Sequence, residues 1–136
     1  MRDQRLAPCE RLRCRRAFER VFQHGEKQVS AAFVWYLLPT PNGSSRLGMA
    51  VSKRVGGAVV RNRIKRYTRE FFRQHKDQFD PPCDMVVVAR PKAAEMGYAE
   101  CVRDFLSLLR RYRRAQSRQR GRAPDAEDLS HATEHP

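Results

Sequence analysis

Nowhere does the chain hold an apolar stretch approaching the roughly 18–20 residues that span a bilayer. Its N-terminus, Met1-Arg-Asp-Gln-Arg-Leu-Ala-Pro8, is charged and carries no apolar segment of the secretory kind, so a cytoplasmic protein is expected. The four cysteines (Cys9, Cys14, Cys83, Cys101) form no Cys-x-x-Cys and find no histidine at finger spacing. That spacing gives no support to zinc, and a disulfide framework does not suit a chain without a secretion signal, which leaves free thiols. No Gly-x-Ser-x-Gly, His-Glu-x-x-His or Walker loop is present, and the histidines fall at helix ends and in the tail. Asp77, Asp80 and Asp84 flank Pro81-Pro82 without a recognised ligand pattern, so no metal site in the protein is expected. A self-sufficient enzyme is not what these residues describe.

Acid is the other scarcity. Only 15 Asp+Glu stand against 28 Lys+Arg in 136 residues, a net charge of +13 with the histidines neutral. Residues 115–136 hold three arginines and four acids, so residues 1–114 carry 25 bases against 11 acids, or +14. A body of one-domain size with this excess repels itself unless a polyanion neutralises it. Nucleic acid is the first candidate and an anionic membrane surface the lesser one. With 40% apolar residues the chain can still build a core.

Hydrophobic spacing divides the chain into a basic lead-in over 1–12, one folded domain over 13–114 and a polar tail over 115–136 that is expected to be disordered. A helix is predicted from Arg13 to His24 on the spacing of Cys14, Phe18, Val21 and Phe22, with Gly25 placed as a left-handed stop. It has a poor N-cap, since only Cys14 lies there. Residues 31–38 read as a buried strand, 39–45 as turn chemistry and 46–52 as a second strand, together a hairpin with a longish loop. After the glycine-bearing bend at 53–57 comes the longest helical pattern, from about Ala58 to His75. A strand over 84–90 and an amphipathic helix over 98–114 complete an α+β domain, with room for one more short strand near 50–56.

The long helix carries the densest chemistry. At about 100° per residue, Val60, Ile64, Tyr67 and Phe71 share one face, while Arg61, Asn62, Lys65, Arg66, Arg69 and Arg73 fill an opposing arc. Arg61/Lys65, Lys65/Arg69 and Arg69/Arg73 are all like-charged i,i+4 pairs, each costing about a few tenths of a kcal/mol. That repulsion makes sense where phosphates relieve it. Phe18 and Phe22, also four apart, suit either core packing or a platform for unpaired bases, and Tyr36 has the same two readings.

The run from Arg46 to Glu70 resembles the signature of the bacterial ribonuclease P protein subunit, with Gly56-x-Ala58-x-x-Arg61-Asn62-Arg63-x-Lys65-Arg66-x-x-Arg69-Glu70 at its centre. The likeness extends to Phe18-x-x-Val21-Phe22, to the strand containing Tyr36 and to Asp84–Pro91, covering roughly residues 9–114. It implies a small mixed sheet packed with helices in a single α+β domain, with a left-handed β-α-β crossover through the helix at 58–75. It further implies a nucleoprotein endoribonuclease that removes the 5′ leader of precursor tRNA. In that enzyme the RNA subunit is the catalyst and holds most of the Mg2+, no protein partner is required, and no protein side chain is catalytic. By the same resemblance, Arg61, Asn62, Arg63, Lys65, Arg66 and Arg69 would contact the RNA subunit. Phe18, Phe22, Tyr36, Ser52, Lys53 and Arg54 would line a cleft for the leader. Cys14 departs from the capping hydroxyl of many relatives, which bears on the first helical turn only. A plain RNA-binding structural protein remains the alternative. A membrane-surface protein fits less well, because the apolar face of the basic helix is needed in the core.

Overall fold

A computed structural model of the chain describes residues 11–41 and 43–121. The elements are α1 (Arg15–His24), β1 (Glu26–Val29), β2 (Phe33–Pro39), β3 (Arg46–Ala50), α2 (Ala58–His75), β4 (Cys83–Ala89) and α3 (Tyr98–Gly121), with short 3₁₀ turns at Lys76–Gln78 and Pro91–Glu95. One four-stranded mixed sheet, ordered β1-β2-β4-β3, makes this a single α+β domain.

β4 sets the arrangement. Met85-Val-Val-Val88 is apolar at every position, so both faces of the strand need cover, and the strand lies between two others. It pairs antiparallel with β2 (Tyr36 opposite Val86) and parallel with β3 (Gly48 beside Val86). The expected hairpin of 31–38 with 46–52 is therefore not formed, because β4 lies between them. A loop longer than two residues does not impose register, and an all-apolar strand gains more from the central place. β2 makes its hairpin with β1 instead, Glu26 opposite Leu37 and Val29 opposite Val34. The additional strand is thus Glu26–Val29 and not a segment near 50–56, where Ser52–Val55 form a turn closed by Val55 N–H donating to Ser52 O at 3.1 Å. The connection between the parallel neighbours β3 and β4 runs through α2.

Alternation sorts the side chains onto two cores. Phe33, Trp35, Leu37, Leu47, Met85 and Val87 face α2 and α3, where they meet Ile64, Phe71, Phe72, Phe105 and Leu108. On the other face Val86 packs with Leu12 and Val21, flanked by Ala17, Phe18, Tyr36, Leu38 and Val88. That side also carries an ion pair: Arg46 Nε and an Nη donate to the two oxygens of buried Asp84 at 2.8 and 2.7 Å. The fork geometry and the carboxylate charge raise the Arg46 pKa further.

Three other expectations are revised. Gly25 has φ of −77°, an extended conformation; a side chain is excluded because a Cβ would lie 2.6 Å from Val21 O and 3.2 Å from the Leu37 backbone. Leu12 is buried and its N–H donates to Leu47 O at 3.0 Å, so the domain begins before residue 13; residues 1–10 of the expected lead-in lie outside the described residues. The tail expected to be disordered from 115 is helical as far as Gly121, and the remainder from 122 lies outside the described residues. Helix formers Ala115, Gln116, Gln119 and the arginines carry α3 on, and Gln116 adds a bond from its Nε2 to Glu26 Oε1 at 3.3 Å. α1 starts at Arg15, and Cys14 at its N-cap makes no side-chain capping bond, in keeping with the weak first turn expected there. Among the described cysteines Cys14 is exposed, whereas burial pushes the Cys83 thiol up to about 12 and the Cys101 thiol to about 11.

Candidate nucleic-acid interface

α1 crosses only part of its face of the sheet and leaves rings at the margin. Phe22 is 41% exposed and meets Tyr36 edge-on with centroids 4.8 Å apart, while Phe18 lies 6.5 Å from Phe22. The sequence left these rings between core and surface, and the structure divides them: Phe18 and Tyr36 are half-buried against Val86 and Val88, and Phe22 stands out. Lys27, opposite Tyr36 on β1, holds its ammonium 5.8 Å from the tyrosine centroid. Register then gives a row of half-buried apolar residues on the same face, Val34, Val88 and Ala50, leading toward the end of β3. Ser52, Lys53 and Arg54 are exposed in the turn just beyond, where Arg54 N–H donates to Ser52 Oγ at 3.3 Å. They share an end of the sheet with the apolar row.

Gly48 lies in the predicted strand 46–52 but was not singled out there, yet it sets the depth of Phe18. A Cβ at Gly48 would lie 2.5 Å from Phe18 Cζ. The signal was a lone glycine inside a strand, which marks close approach by a neighbour.

The basic helix is covered on a wider arc than a single apolar stripe suggests. Its buried residues are Ile64, Thr68, Phe71 and Phe72, a face turned by roughly 50° from the predicted stripe. The reason is that α2 fills a corner. Ile64, Phe71 and Phe72 enter the main core, while Val60 and Tyr67 reach it only in part, and the Tyr67 ring meets Tyr98 with centroids 5.3 Å apart. Thr68 satisfies its buried hydroxyl by donating to Ile64 O at 2.8 Å.

The predicted RNA-facing residues consequently differ. Asn62 and Arg66 are exposed, whereas Arg61, Arg63, Lys65 and Arg69 are half-buried. Arg61 Nε donates back to Gly56 O at 3.1 Å and ties the helix to its entry bend. Arg63 donates to Ala94 O at 2.9 Å, a contact that docks α2 on the Pro91–Glu95 turn. Arg73, on the predicted basic arc, pairs with Glu70 at 2.6 Å.

Arg69 links the two faces. β3 is a sheet edge, and an open groove of about 530 Å³ runs along it, lined by Arg11, Arg13, Phe18, Gly48, Met49 and Arg69 among others. Burial, with the charges of Arg11 and Arg66 adding to it, lowers the Arg69 pKa, and its Nε is buried without a hydrogen-bond partner. Like charges held this closely are a ready seat for an anion. Arg11, in the basic lead-in, and Arg13, at the predicted start of the first helix, escaped the sequence reading as site residues because nothing in that stretch shows that Arg11 bridges to Leu47 and that Leu12 is buried.

Fold and surface together define a small basic α+β domain that presents aromatic rings on one side of its sheet and cations around the β3 edge. Comparison with known proteins is specific: residues 6–113 match the family model described as Ribonuclease P. A ribonuclease P protein component from Syntrophus aciditrophicus is 39% identical over 109 residues, spanning 80% of this chain and 92% of its own. One from Geobacillus sp. is 43% identical over 102 residues, spanning 74% and 88%. The Staphylococcus aureus RNase P protein structure superposes with a TM-score of 0.69 at 32% identity, covering 74% of this chain and 93% of that one. The Thermotoga maritima RNase P protein gives 0.68 at 35% identity, covering 75% and 96%. The chain belongs to the ribonuclease P protein family.

Because the Phe18 ring rests directly on Gly48, Gly48→Ala is expected to displace it and to destabilise the domain by about 1–3 kcal/mol. Urea denaturation checks this; a midpoint equal to that of the unsubstituted protein would contradict the packing described.

Proposed function

We propose that this chain is the protein subunit of ribonuclease P and assists the catalytic RNA in endonucleolytic removal of the 5′ leader from precursor tRNA. The observation that carries the reading is the family match over residues 6–113, which takes in both the aromatic face and the basic helix. Half-exposed Phe22 and Tyr36 offer ring surfaces on which unpaired leader bases stack, and the apolar row toward Ser52, Lys53 and Arg54 supplies a path for the strand. Arg66, Asn62 and the half-buried Arg61, Lys65 and Arg69 face the RNA subunit. Arg63 contributes chiefly by fixing the helix through Ala94.

In this reading the hydrolytic chemistry belongs to RNA and its magnesium. The ion's ligands are assigned mainly to the RNA subunit, as the family resemblance implies, and the Asp84 carboxylate is held by Arg46. The protein's part is electrostatic. Positive charge between two RNAs offsets the repulsion of their phosphates, which raises affinity for substrate and for Mg2+ together. No described helix is long and apolar enough to cross a membrane, and the cytoplasm, where tRNA is processed, is the proposed location.

Two measurements test the division of labour. Arg61→Ala combined with Arg66→Ala is expected to weaken binding to the RNA subunit and to reduce the salt dependence of log K by about 1–2. An unchanged slope would remove α2 from the interface. Phe22→Ala and Tyr36→Ala are each expected to weaken binding of precursor tRNA by about 1–3 kcal/mol while leaving mature tRNA affinity nearly unchanged. Equal losses for both tRNAs would assign the rings to packing alone.

A further inference from the structure

α3 carries a second basic surface that the leader path and the α2 helix do not use. No Asp or Glu occurs between Asp104 and Gly121, while arginine stands at 110, 111, 113, 114, 118 and 120. Placed on a wheel, the five arginines from 110 to 118 fill an arc of about 160° opposite buried Cys101, Phe105, Leu108, Leu109, Tyr112 and Gln116. Arg110/Arg114 and Arg114/Arg118 are like-charged i,i+4 pairs, an arrangement that weakens an isolated helix.

The helix is nonetheless anchored. Tyr112 donates its buried hydroxyl to Pro81 O at 3.0 Å, Gln116 reaches Glu26, and Arg111 donates to Val29 O at 2.6 Å. The last two contacts tie α3 to β1, which is the opposite sheet edge from β3 and its groove. Arg110, Arg113, Arg114 and Ser117 line an open groove of about 510 Å³ together with Asp80. The family match ends at residue 113, so the last two helical turns lie beyond it.

We infer that the α3 arginines form a second RNA-contact surface, one that holds the phosphate backbone of folded RNA at the edge of the sheet remote from the β3 groove. The chemistry selects backbone over bases, because the exposed positions of 110–119 are Arg, Ser and Gln and offer no ring for stacking. It also disfavours a lipid surface, since no apolar side chain on that face could insert. Arg110, Arg114 and Arg118 succeed one another at about 6 Å along the helix axis, a row of guanidinium groups suited to successive phosphates. The inference rests on the proposed role as a ribonuclease P subunit, and the phosphates could belong to the RNA subunit or to the tRNA.

The test compares the full chain with the triple variant Arg110→Gln/Arg114→Gln/Arg118→Gln, measuring affinity for the RNA subunit and for precursor tRNA separately across a salt series. A fall of about 2–3 in the slope of log K against log[salt] is expected for one of the two RNAs, which identifies the source of the phosphates. The corresponding triple Lys variant keeps the charge and is expected to keep the slope; circular dichroism of both variants checks that α3 still forms. Unchanged slopes toward both RNAs in the Gln variant would overturn the inference and leave the stripe to another class of partner, such as an acidic protein. In that event a lowered slope in the Arg61→Ala/Arg66→Ala variant leaves the subunit role standing, whereas unchanged slopes in both variants count against the role itself.

Discussion

β4 contributes Met85 and Val87 to one apolar core and Val86 and Val88 to the other, so neither face of the sheet can be left to water. Every functional surface follows from how that demand is met. One face is closed by α2 and α3, and the other by α1, which is only ten residues long. A helix of that length cannot cover the face it crosses. Phe22, Tyr36 and the Val34–Val88–Ala50 row are the uncovered remainder, which is why rings that would elsewhere be core are available to a ligand. The same requirement sends the chain from β3 through α2 into β4, and thereby hangs the basic helix beside the β3 edge.

Electrostatics supplies the second constraint. The domain keeps Arg61, Lys65, Arg66 and Arg69 close together on α2, with Arg11 and Arg13 brought to the same edge by the Leu12–Leu47 bond. Arg69 shows the cost: its pKa is lowered by burial and by neighbouring positive charge, and its Nε has no partner. Two nearby carboxylates are engaged elsewhere, Glu70 with Arg73 and Asp84 with Arg46. A protein arranged in this way is most stable with a polyanion in place, and nucleic-acid phosphates are the polyanion its family membership supplies.

The α+β class, the span of α2 and the exposure of Asn62 and Arg66 were legible in the sequence, because an 18-residue periodic segment with a single acid among its charges admits few other arrangements. Other features were not. The wheel assumed that α2 has one packing partner; it has the sheet and the Pro91–Glu95 turn, so Phe72 and Thr68 are buried and Tyr67 lies at the margin. β1 reads Glu-Lys-Gln-Val, whose polarity suits an edge strand and hides it from hydrophobic patterning. The position of β4 between β2 and β3 is a long-range choice that neither hairpin chemistry nor local propensity encodes. Among the candidate site residues, the identities came through the family signature, while their division into exposed contacts and anchored supports (Arg61 on Gly56, Arg63 on Ala94) depends on tertiary packing. Gly48 and the arginines at 11 and 13 became visible only once Phe18 and Leu12 were placed.

In the proposed role this domain lets a catalytic RNA hold and cleave its substrate where the RNA alone is limited by charge repulsion. Cleavage of precursor tRNA by a cognate bacterial ribonuclease P RNA at low magnesium, with and without the purified protein, measures this directly. The protein is expected to restore cleavage at the mature 5′ end under conditions where the RNA alone is nearly inactive. No gain in cleavage with the cognate RNA at any magnesium concentration would contradict it and return the domain to the class of RNA-binding structural proteins.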